Sequence, residues 1–167
     1  LPLVIPLSSC IARPKGIDGT IYPLQEHLVV VAEGCGKYNG DRHEQLYFLA
    51  GLLHDAGKAQ HLWQRDIGCK DRLVPHSSVG SALFVFFSEK LINSWQLTNR
   101  ETREFTFIAF KLARDIYDHH GELDDLTDEV IWGSIYGTFL DLAVFQSIDL
   151  KSLFELVGYY FPELKAL

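Results

Sequence analysis

The sequence predicts a single all-α domain. Apolar residues recur at helical spacing along most of the chain, alternating strand patterns are nearly absent, and no repeat or linker divides the chain. A length of 167 residues, with 47% hydrophobic and 22% charged residues, fits one globular domain with a substantial core. We expect residues 1–20 to form an N-terminal extension, with a possible short β-pair, and residues 21–167 to form the helical domain.

Seven helices are expected from this spacing, and several have suitable end residues. Pro23 suits the first turn of the first helix, Asp41 can cap the second, and Gly57 can end it. Gly121 is expected to stop the fifth helix. In chain order the helices should run from about Pro23 to Lys37, Asp41 to Ala56, briefly near His61, Pro75 to Asn93, Arg100 to His119, Asp125 or Thr127 to Ser147, and Ser152 to Tyr160.

Aromatic residues in two of these helices are expected to lie in the core, because most large apolar side chains on amphipathic helices are buried. They are Phe84, Phe86 and Phe87 in the fourth predicted helix, and Trp132, Tyr136 and Phe139 in the sixth.

Charge and cysteine content restrict the partner and the compartment. The formal net charge is −7, whereas a protein that binds nucleic acid unaided usually carries a basic surface. No apolar run approaches the roughly 18 residues typical of a membrane span. The three cysteines are widely spaced and form no CxxC pair, so they predict neither a disulfide framework nor a thiolate zinc site. We expect a cytoplasmic protein with no membrane partner.

The histidines give the first indication of chemistry. Seven occur, several of them near predicted helix ends, and Asp55 stands directly beside His54. Imidazole and carboxylate together suit transition-metal ions, whose ligands are usually gathered from several elements. His54 and Asp55 diverge by roughly 100° on a helix, yet both can reach one ion beyond the helix end. His43 and His61 are expected to face solvent instead.

The residues around the His54-Asp55 pair strengthen this interpretation. An apolar helix precedes the pair, Gly57 follows it, and Lys58 is next to that glycine. Lys58 can either interact with the dipole at the helix C-terminus or hold a phosphate oxygen. Further along the chain, Asp118 can orient the histidine that follows it through a hydrogen bond from outside the metal shell.

The run Leu52-Leu53-His54-Asp55-Ala56-Gly57-Lys58-Ala59 resembles the signature of the HD superfamily of metal-dependent phosphohydrolases. More closely, the chain resembles the HD nuclease domain of CRISPR-associated type I interference proteins. The further motifs that carry this resemblance, in chain order, are His27 on the first helix, His76-Ser77 followed by a small residue, and His119-His120-Gly121. They cover about residues 21 to 148 and imply a helical bundle of the HD-domain type.

The resemblance also implies a dinuclear metal site. One ion would be held by His27, His54 and Asp55. A second ion would be held by His76, His119 and His120, with Asp55 between the two ions.

A late aspartate is implied as a further ligand of the first ion, and Asp141 is the candidate. It is the only carboxylate between Glu129 and Asp149 and lies in an otherwise apolar predicted helix. A charge there needs a partner, because burying an unpaired carboxylate is costly. The rival explanations are an exposed position or an ion pair with an arginine.

These residues lead to an expected function. The resemblance implies a nuclease of CRISPR interference, a form of antiviral defence, that hydrolyses phosphodiester bonds of single-stranded DNA. Asp55, His54 and Lys58 are the expected catalytic residues, with a metal-activated water as nucleophile. An imidazole-rich shell favours manganese, iron, cobalt or nickel over magnesium. Endonuclease and exonuclease action both remain compatible with the sequence.

The expected partners follow from the same resemblance. A helicase or a CRISPR effector complex, in cis or in trans, would deliver the strand, which is consistent with the acidic net charge. Arg65, Lys70 and Arg72 can guide that strand or belong to a solvated loop. The alternative function is an HD-type phosphohydrolase acting on nucleotides or cyclic nucleotides. A third is a non-catalytic subunit in which the metal only stabilises the fold.

Overall fold

The structure, a computed structural model, describes residues 3–69, 74–120 and 128–165, with Asp128 described by its backbone alone. Over these ranges the chain forms eight α-helices and no strand, so the prediction of an all-α fold is confirmed. The helices are α1 Leu24–Cys35, α2 Arg42–Leu53, α3 His61–Arg65, α4 Ser77–Ser94, α5 Asn99–Asp118, α6 Asp128–Leu140, α7 Leu142–Gln146 and α8 Leu150–Tyr160. Short 3-10 helices occupy Leu7–Ser9, Ala56–Ala59 and Pro162–Leu164.

Side-chain caps fix the start of two long helices. The Asp41 carboxylate accepts hydrogen bonds from the backbone N–H groups of His43 and Glu44, and the Glu44 side chain returns to the Asp41 N–H. Thr98 and Glu101 form the same capping box at the start of α5. Each box satisfies N–H groups that have no partner within the helix. The prediction that Asp41 caps the second helix is confirmed.

The end of α2 differs from the prediction. The helix ends at Leu53 with His54 as its C-cap, and Asp55 leaves the helical conformation at φ −109° and ψ 10°. A 3-10 helix, Ala56–Ala59, then changes the direction of the chain. Gly57 therefore lies inside this turn, where a β-carbon would collide with the backbone of His76. The glycine allows the segment before α4 to approach the turn closely.

The predicted sixth helix is divided in two. Helix α6 ends at Leu140, and Asp141 adopts φ −88° and ψ 82° before α7 begins. The Asp141 carboxylate accepts hydrogen bonds from the N–H groups of Ala143 and Val144, which caps α7. The expectation that Asp141 lies within one continuous apolar helix is therefore wrong, because an aspartate can compete for backbone N–H groups and start a new helix.

The N-terminal segment packs on the helical domain without forming a β-pair in the described residues. Its only backbone bridges there are isolated ones, between Ile5 and Ile148 and between Ile11 and Pro23. Leu7 and Cys10 are buried in the same core as the helices. Prolines along this segment lack the N–H that a continuous ladder requires, which explains why pairing stays local.

The core lies where α4 contacts α2, α5 and α6, while α1 covers α2. Phe84 and Phe87 are fully buried there, and Phe86 packs against the same cluster, as predicted. Tyr136, also predicted in the core, is 56% exposed and lines an open groove together with Phe86 and Phe110. The other two aromatic residues of α6, Trp132 and Phe139, are partly buried. Among the described helices, none combines the length and apolar character required to cross a membrane.

Replacing Gly80 with alanine is expected to destabilise the fold. A β-carbon at Gly80 would lie 2.5 Å from the carbonyl oxygen of His54 and 2.6 Å from that of Leu53, so α4 would have to move away from the end of α2. We expect the free energy of unfolding, measured in urea, to fall by about 1–3 kcal/mol. Gly133→Ala is the matched control, because that position is open and alanine favours a helix by about 1 kcal/mol. Equal stabilisation by both substitutions would contradict the close approach.

Candidate metal centre

Five histidines converge on the buried carboxylate of Asp55, whose side chain is 3% exposed. They come from separate parts of the chain: His27 from α1, His54 from the end of α2, His76 from the start of α4, and His119 and His120 from the end of α5. Four of the five lie outside or at the ends of helices, where the backbone can aim a side chain along the helix axis as well as away from it.

One carboxylate oxygen, Oδ2 of Asp55, faces the first set of partners. The Nε2 atoms of His27 and His54 lie 2.9 Å and 3.2 Å from it. The ammonium group of Lys58, which is almost fully buried, lies 2.7 Å from the same oxygen. Lys58 also lies 5.4 Å from the centre of the Trp63 ring. The lysine thus balances the buried negative charge of Asp55.

The other oxygen, Oδ1 of Asp55, faces the second set. The Nε2 atoms of His76, His119 and His120 lie 3.3 Å, 3.2 Å and 3.9 Å from it. The two oxygens of one carboxylate therefore divide the histidines into two groups. This division is the central geometric feature of the site.

Backbone carbonyl groups orient two of the histidines. Nδ1–H of His54 donates to the carbonyl oxygen of Gly51, at 2.7 Å, and Nδ1–H of His119 donates to that of Ile116. Each bond fixes the ring with Nε2 facing Asp55, so that Nε2 could give its lone pair to an ion once its proton is lost, the arrangement typical of metal-ligating histidines. Asp118, expected to have this orienting role, instead lies 3.7 Å from Arg114. The orientation comes from the last turns of α2 and α5.

His76 provides an independent indication of a missing partner. Its Nε2 atom is buried and lies 3.3 Å from Oδ1 of Asp55, but this contact lacks the geometry of a hydrogen bond, and the atom makes no other within the described part of the chain. A buried polar nitrogen without a partner is costly, and native proteins rarely leave one unsatisfied. A metal ion would satisfy it, so the donor set fits a metal.

The spacing of the donor atoms fits the same conclusion. In each group, Asp55–His76–His119–His120 and His27–His54–Asp55, one ligand atom per residue lies within 4.8 Å of all the others. Nitrogen and oxygen ligands about 2.0–2.2 Å from an ion lie roughly 3–3.5 Å from each other. The described residues therefore form a possible metal-binding site around buried Asp55.

Proton affinities in the cluster are set by burial and by contact with Asp55. Burial alone would raise the pKa of Asp55, but hydrogen bonds from His119, His27 and His54 outweigh it and hold the pKa far below the ordinary range. Burial likewise acts to lower the pKa of His119, yet the hydrogen bond to Asp55 raises it overall. Burial, together with the nearby rings of His119 and His76, lowers the pKa of His120 to about 4.

Most of the residues expected from the sequence are brought together, and one is not. The six residues His27, His54, Asp55, His76, His119 and His120 form the two groups. Asp141 belongs to neither group and is exposed, because its carboxylate caps α7. His43 is exposed, as expected, and His61 is half-buried.

Several other expectations concern the edges of the site. Arg65, one of the basic residues proposed to guide a strand, forms an ion pair with Asp66 at 2.6 Å. Lys70, Arg72 and Gly121 lie outside the described residues.

No motif in the sequence indicates the cleft that adjoins the centre. This cleft has a volume of about 450 Å³, and His27 and Lys58 line one side of it. It is also lined by Ala12, Arg13, Ile21, Tyr22 and Pro23, and the first two belong to the predicted N-terminal extension. Residues that are distant in sequence and carry no motif meet here, so only the tertiary structure could reveal the contact.

Comparisons with protein-family models, curated proteins and solved structures find no match to this chain. The chemistry of the site is therefore inferred from its own residues and their geometry.

Metal binding is expected to depend on Asp55 and to be independent of Asp141. Asp55→Asn removes the charge shared by both groups. Loss of a residue that only supports a ligand can cost about a hundredfold in metal affinity, so we expect the affinity for Mn²⁺ or Ni²⁺ to fall by at least that much. Asp141→Asn is the matched control, because asparagine caps a helix as well as aspartate does. Calorimetric titration of metal-depleted protein measures both. A loss of affinity in Asp141→Asn would place that carboxylate among the ligands.

Metal binding at neutral pH is expected to release protons. The raised pKa of His119 means that this ring keeps its proton at a higher pH than an ordinary histidine, and a ligand must be deprotonated. Metal affinity should therefore fall as the pH is lowered. The heat of binding should vary with the ionisation enthalpy of the buffer, and less so in His119→Gln. Equal heats in phosphate and Tris buffers would contradict this prediction.

Proposed function

We propose that this protein is a metal-dependent nuclease that hydrolyses phosphodiester bonds of single-stranded DNA, using two divalent ions held around Asp55. The observation that carries the proposal is the division of the histidines between the two Asp55 oxygens. A carboxylate with nitrogen donors at each oxygen has the form of a bridging ligand. The motif resemblance to HD nuclease domains supports the same assignment.

The donor set supports a particular class of metal. Five imidazoles and one carboxylate form the two groups, and Lys58 already occupies part of the space beside Asp55. Manganese, iron, cobalt and nickel accept imidazole readily, whereas magnesium prefers oxygen ligands and retains its waters. We therefore propose a transition metal in each position.

The chemistry would be divided between the metal pair and the protein. Two ions about 3.5–4 Å apart supply an activated water and stabilise the attacking and leaving oxygens of a phosphodiester. Asp55 would fix their separation, and the Nδ1 bonds of His54 and His119 would hold the ligand rings in place. Lys58 lines the cleft beside His27, so its ammonium group is placed to hold a phosphate oxygen. A covalent enzyme intermediate is not part of the proposal.

The charge of the chain supports delivery of the substrate by another protein or domain. The net charge of −7 disfavours unaided binding of a long polyanion, because affinity for nucleic acid depends mainly on basic contacts to phosphates. We propose that a helicase or an effector complex of CRISPR interference, in cis or in trans, brings the strand to the site. The free thiols of Cys10, Cys35 and Cys69 are consistent with a reducing, cytoplasmic setting.

One observation favours a second candidate function, hydrolysis of nucleotides or cyclic nucleotides. The cleft beside His27, at about 450 Å³, is within the range of pockets that enclose a small ligand. A small substrate also needs no basic track. The two candidates share the metal chemistry and differ in the length of the substrate.

Cleavage assays with metal-depleted protein test the proposal. After reloading with Mn²⁺, Ni²⁺ or Mg²⁺, the protein is incubated with circular single-stranded DNA, linear single-stranded DNA and cyclic nucleotides in parallel. We expect strand cleavage with Mn²⁺ or Ni²⁺, and at least about a hundredfold loss in Asp55→Ala, which removes the bridge between the two groups. Cleavage of the circle as well as the linear strand would assign endonuclease action.

His43→Gln is the control for this assay, because His43 is an exposed histidine outside both groups, and its activity should equal that of the wild type. Turnover of cyclic nucleotides alone, lost in Asp55→Ala, would replace the nuclease by the second candidate. Strand cleavage that is unchanged in Asp55→Ala would remove the site from consideration altogether.

A further inference from the structure

The cleft beside the metal centre has two walls of different origin. His27 and Lys58 belong to the centre itself, whereas Arg13, Ile21 and Tyr22 come from the N-terminal segment. None of these three residues is part of the histidine and aspartate groups. The N-terminal segment therefore adds a surface of its own next to the proposed reaction site.

This wall is fixed in position by hydrogen bonds. The N–H of Ala12 donates to the carbonyl of Tyr22 at 2.7 Å, which closes the loop between them. The side-chain amide of Gln64 holds both backbone groups of Ile11, accepting from its N–H at 3.0 Å and donating to its carbonyl at 2.9 Å. The same amide nitrogen lies 2.8 Å from the carbonyl oxygen of Lys58. Gln64 thus couples the wall to the turn that follows Asp55.

Arg13 is the cationic group on this wall. Its guanidinium carbon lies 3.5 Å from the centre of the Tyr22 ring, so the group stacks on the aromatic face. Within the described part of the chain Arg13 forms no ion pair, whereas Arg42, Arg65 and Arg100 each have a carboxylate within 4.0 Å. Stacking orients a guanidinium and leaves the N–H donors along its edge available to an anion.

The rest of the lining is apolar on one side. Ile21 and Val30 are 54% and 66% exposed, respectively, which is unusual for side chains next to a polar site. Glu26 also lines the cleft and is outnumbered by Arg13 and Lys58. A ligand with a phosphate and an apolar ring or sugar matches this combination better than inorganic phosphate does.

We propose that this cleft binds the nucleoside phosphate next to the bond that is cut, with Arg13 holding its phosphate and Ile21 and Val30 contacting its base or sugar. The inference rests on the proposed function, because the metal centre would hold the reacting phosphate. A volume of about 450 Å³ exceeds what one phosphate fills and leaves room for an adjoining nucleotide. The N-terminal segment is then a substrate-binding part of the site.

Binding measurements on metal-depleted protein test Arg13 without requiring catalysis. The probe is a fluorescein-labelled oligothymidylate at low ionic strength, read by anisotropy, with a cyclic mononucleotide as competitor. Arg13→Gln should raise the Kd of the oligothymidylate by at least about tenfold, the lower end of the range for loss of a hydrogen bond to a charged group. Arg13→Lys should give an intermediate value, since lysine keeps the charge and loses the planar stacked geometry.

Lys15→Gln is the matched control, because Lys15 is an exposed cation of the same segment that does not line the cleft. Arg13 is itself exposed, so circular dichroism and thermal unfolding of both variants should match the wild type. Equal weakening by Lys15→Gln and Arg13→Gln would show unspecific attraction and overturn the proposal.

Kinetics with metal-loaded protein separate this inference from the proposed function. For an oligothymidylate, Arg13→Gln should raise KM and leave kcat unchanged. For bis(p-nitrophenyl) phosphate, which has no neighbouring nucleotide, both constants should stay at the wild-type values. If Arg13→Gln matches the wild type in anisotropy and in KM, the cleft proposal is wrong, while Asp55-dependent hydrolysis of the small diester would still support the metal centre.

The competitor identifies the source of the nucleoside phosphate. If the cyclic mononucleotide displaces the oligothymidylate from the wild type but far less well from Arg13→Gln, the cleft binds a free nucleotide as well as a strand. If it displaces the probe equally from both proteins, Arg13 does not bind nucleoside phosphate in this cleft, and the proposal is overturned.

Discussion

The burial of one negative charge organises this site. Asp55 is 3% exposed, and an isolated carboxylate at such a position would be very costly to fold. The chain compensates with Lys58 and with five imidazoles, all directed at the two oxygens of the same carboxylate. Removing any one partner leaves the others, but removing Asp55 leaves a buried group of cations and nitrogen lone pairs with nothing between them. Loss of Asp55 should therefore disturb the site more than loss of any single partner.

The convergence on Asp55 requires helix ends to come unusually close together. Gly57 and Gly80 stand where the start of α4 meets the end of α2, and a β-carbon at either position would meet backbone atoms of His76 or His54. The same helix ends supply the carbonyl groups of Gly51 and Ile116 that turn His54 and His119 inward. These carbonyls are among the last of each helix, which have no partner within the helix itself. Backbone carbonyl groups that the helices leave unpaired thus orient His54 and His119 towards Asp55.

The sequence allowed prediction of the features that depend on local pattern. Helical spacing predicted the all-α fold, and the motifs around His54, His76 and His119 predicted which residues meet. Features in which a tertiary contact or a helix cap overrides the local pattern could not be predicted from the sequence. The apolar neighbours of Asp141 predict a buried ligand, yet its carboxylate accepts hydrogen bonds from two N–H groups and begins α7. Tyr136 is in helical phase with the partly buried Trp132 and Phe139 and is nevertheless 56% exposed.

The position of Arg13 in the cleft beside the metal centre shows a more general limit of motif reasoning. A sequence motif identifies residues whose shared chemistry requires a fixed separation in sequence, such as neighbouring ligands on one turn. Arg13 and Tyr22 have no such spacing relative to Asp55, and their place depends on the two bonds that Gln64 makes to Ile11. A net charge of −7 disfavours unaided binding of a long strand, but it does not determine the local field within the cleft. Arg13 faces this small volume next to a site able to take divalent ions, and together these positive charges can attract a phosphate even while the rest of the surface repels it. This arrangement would favour a strand presented end-on or as a short loop over one lying along the protein surface.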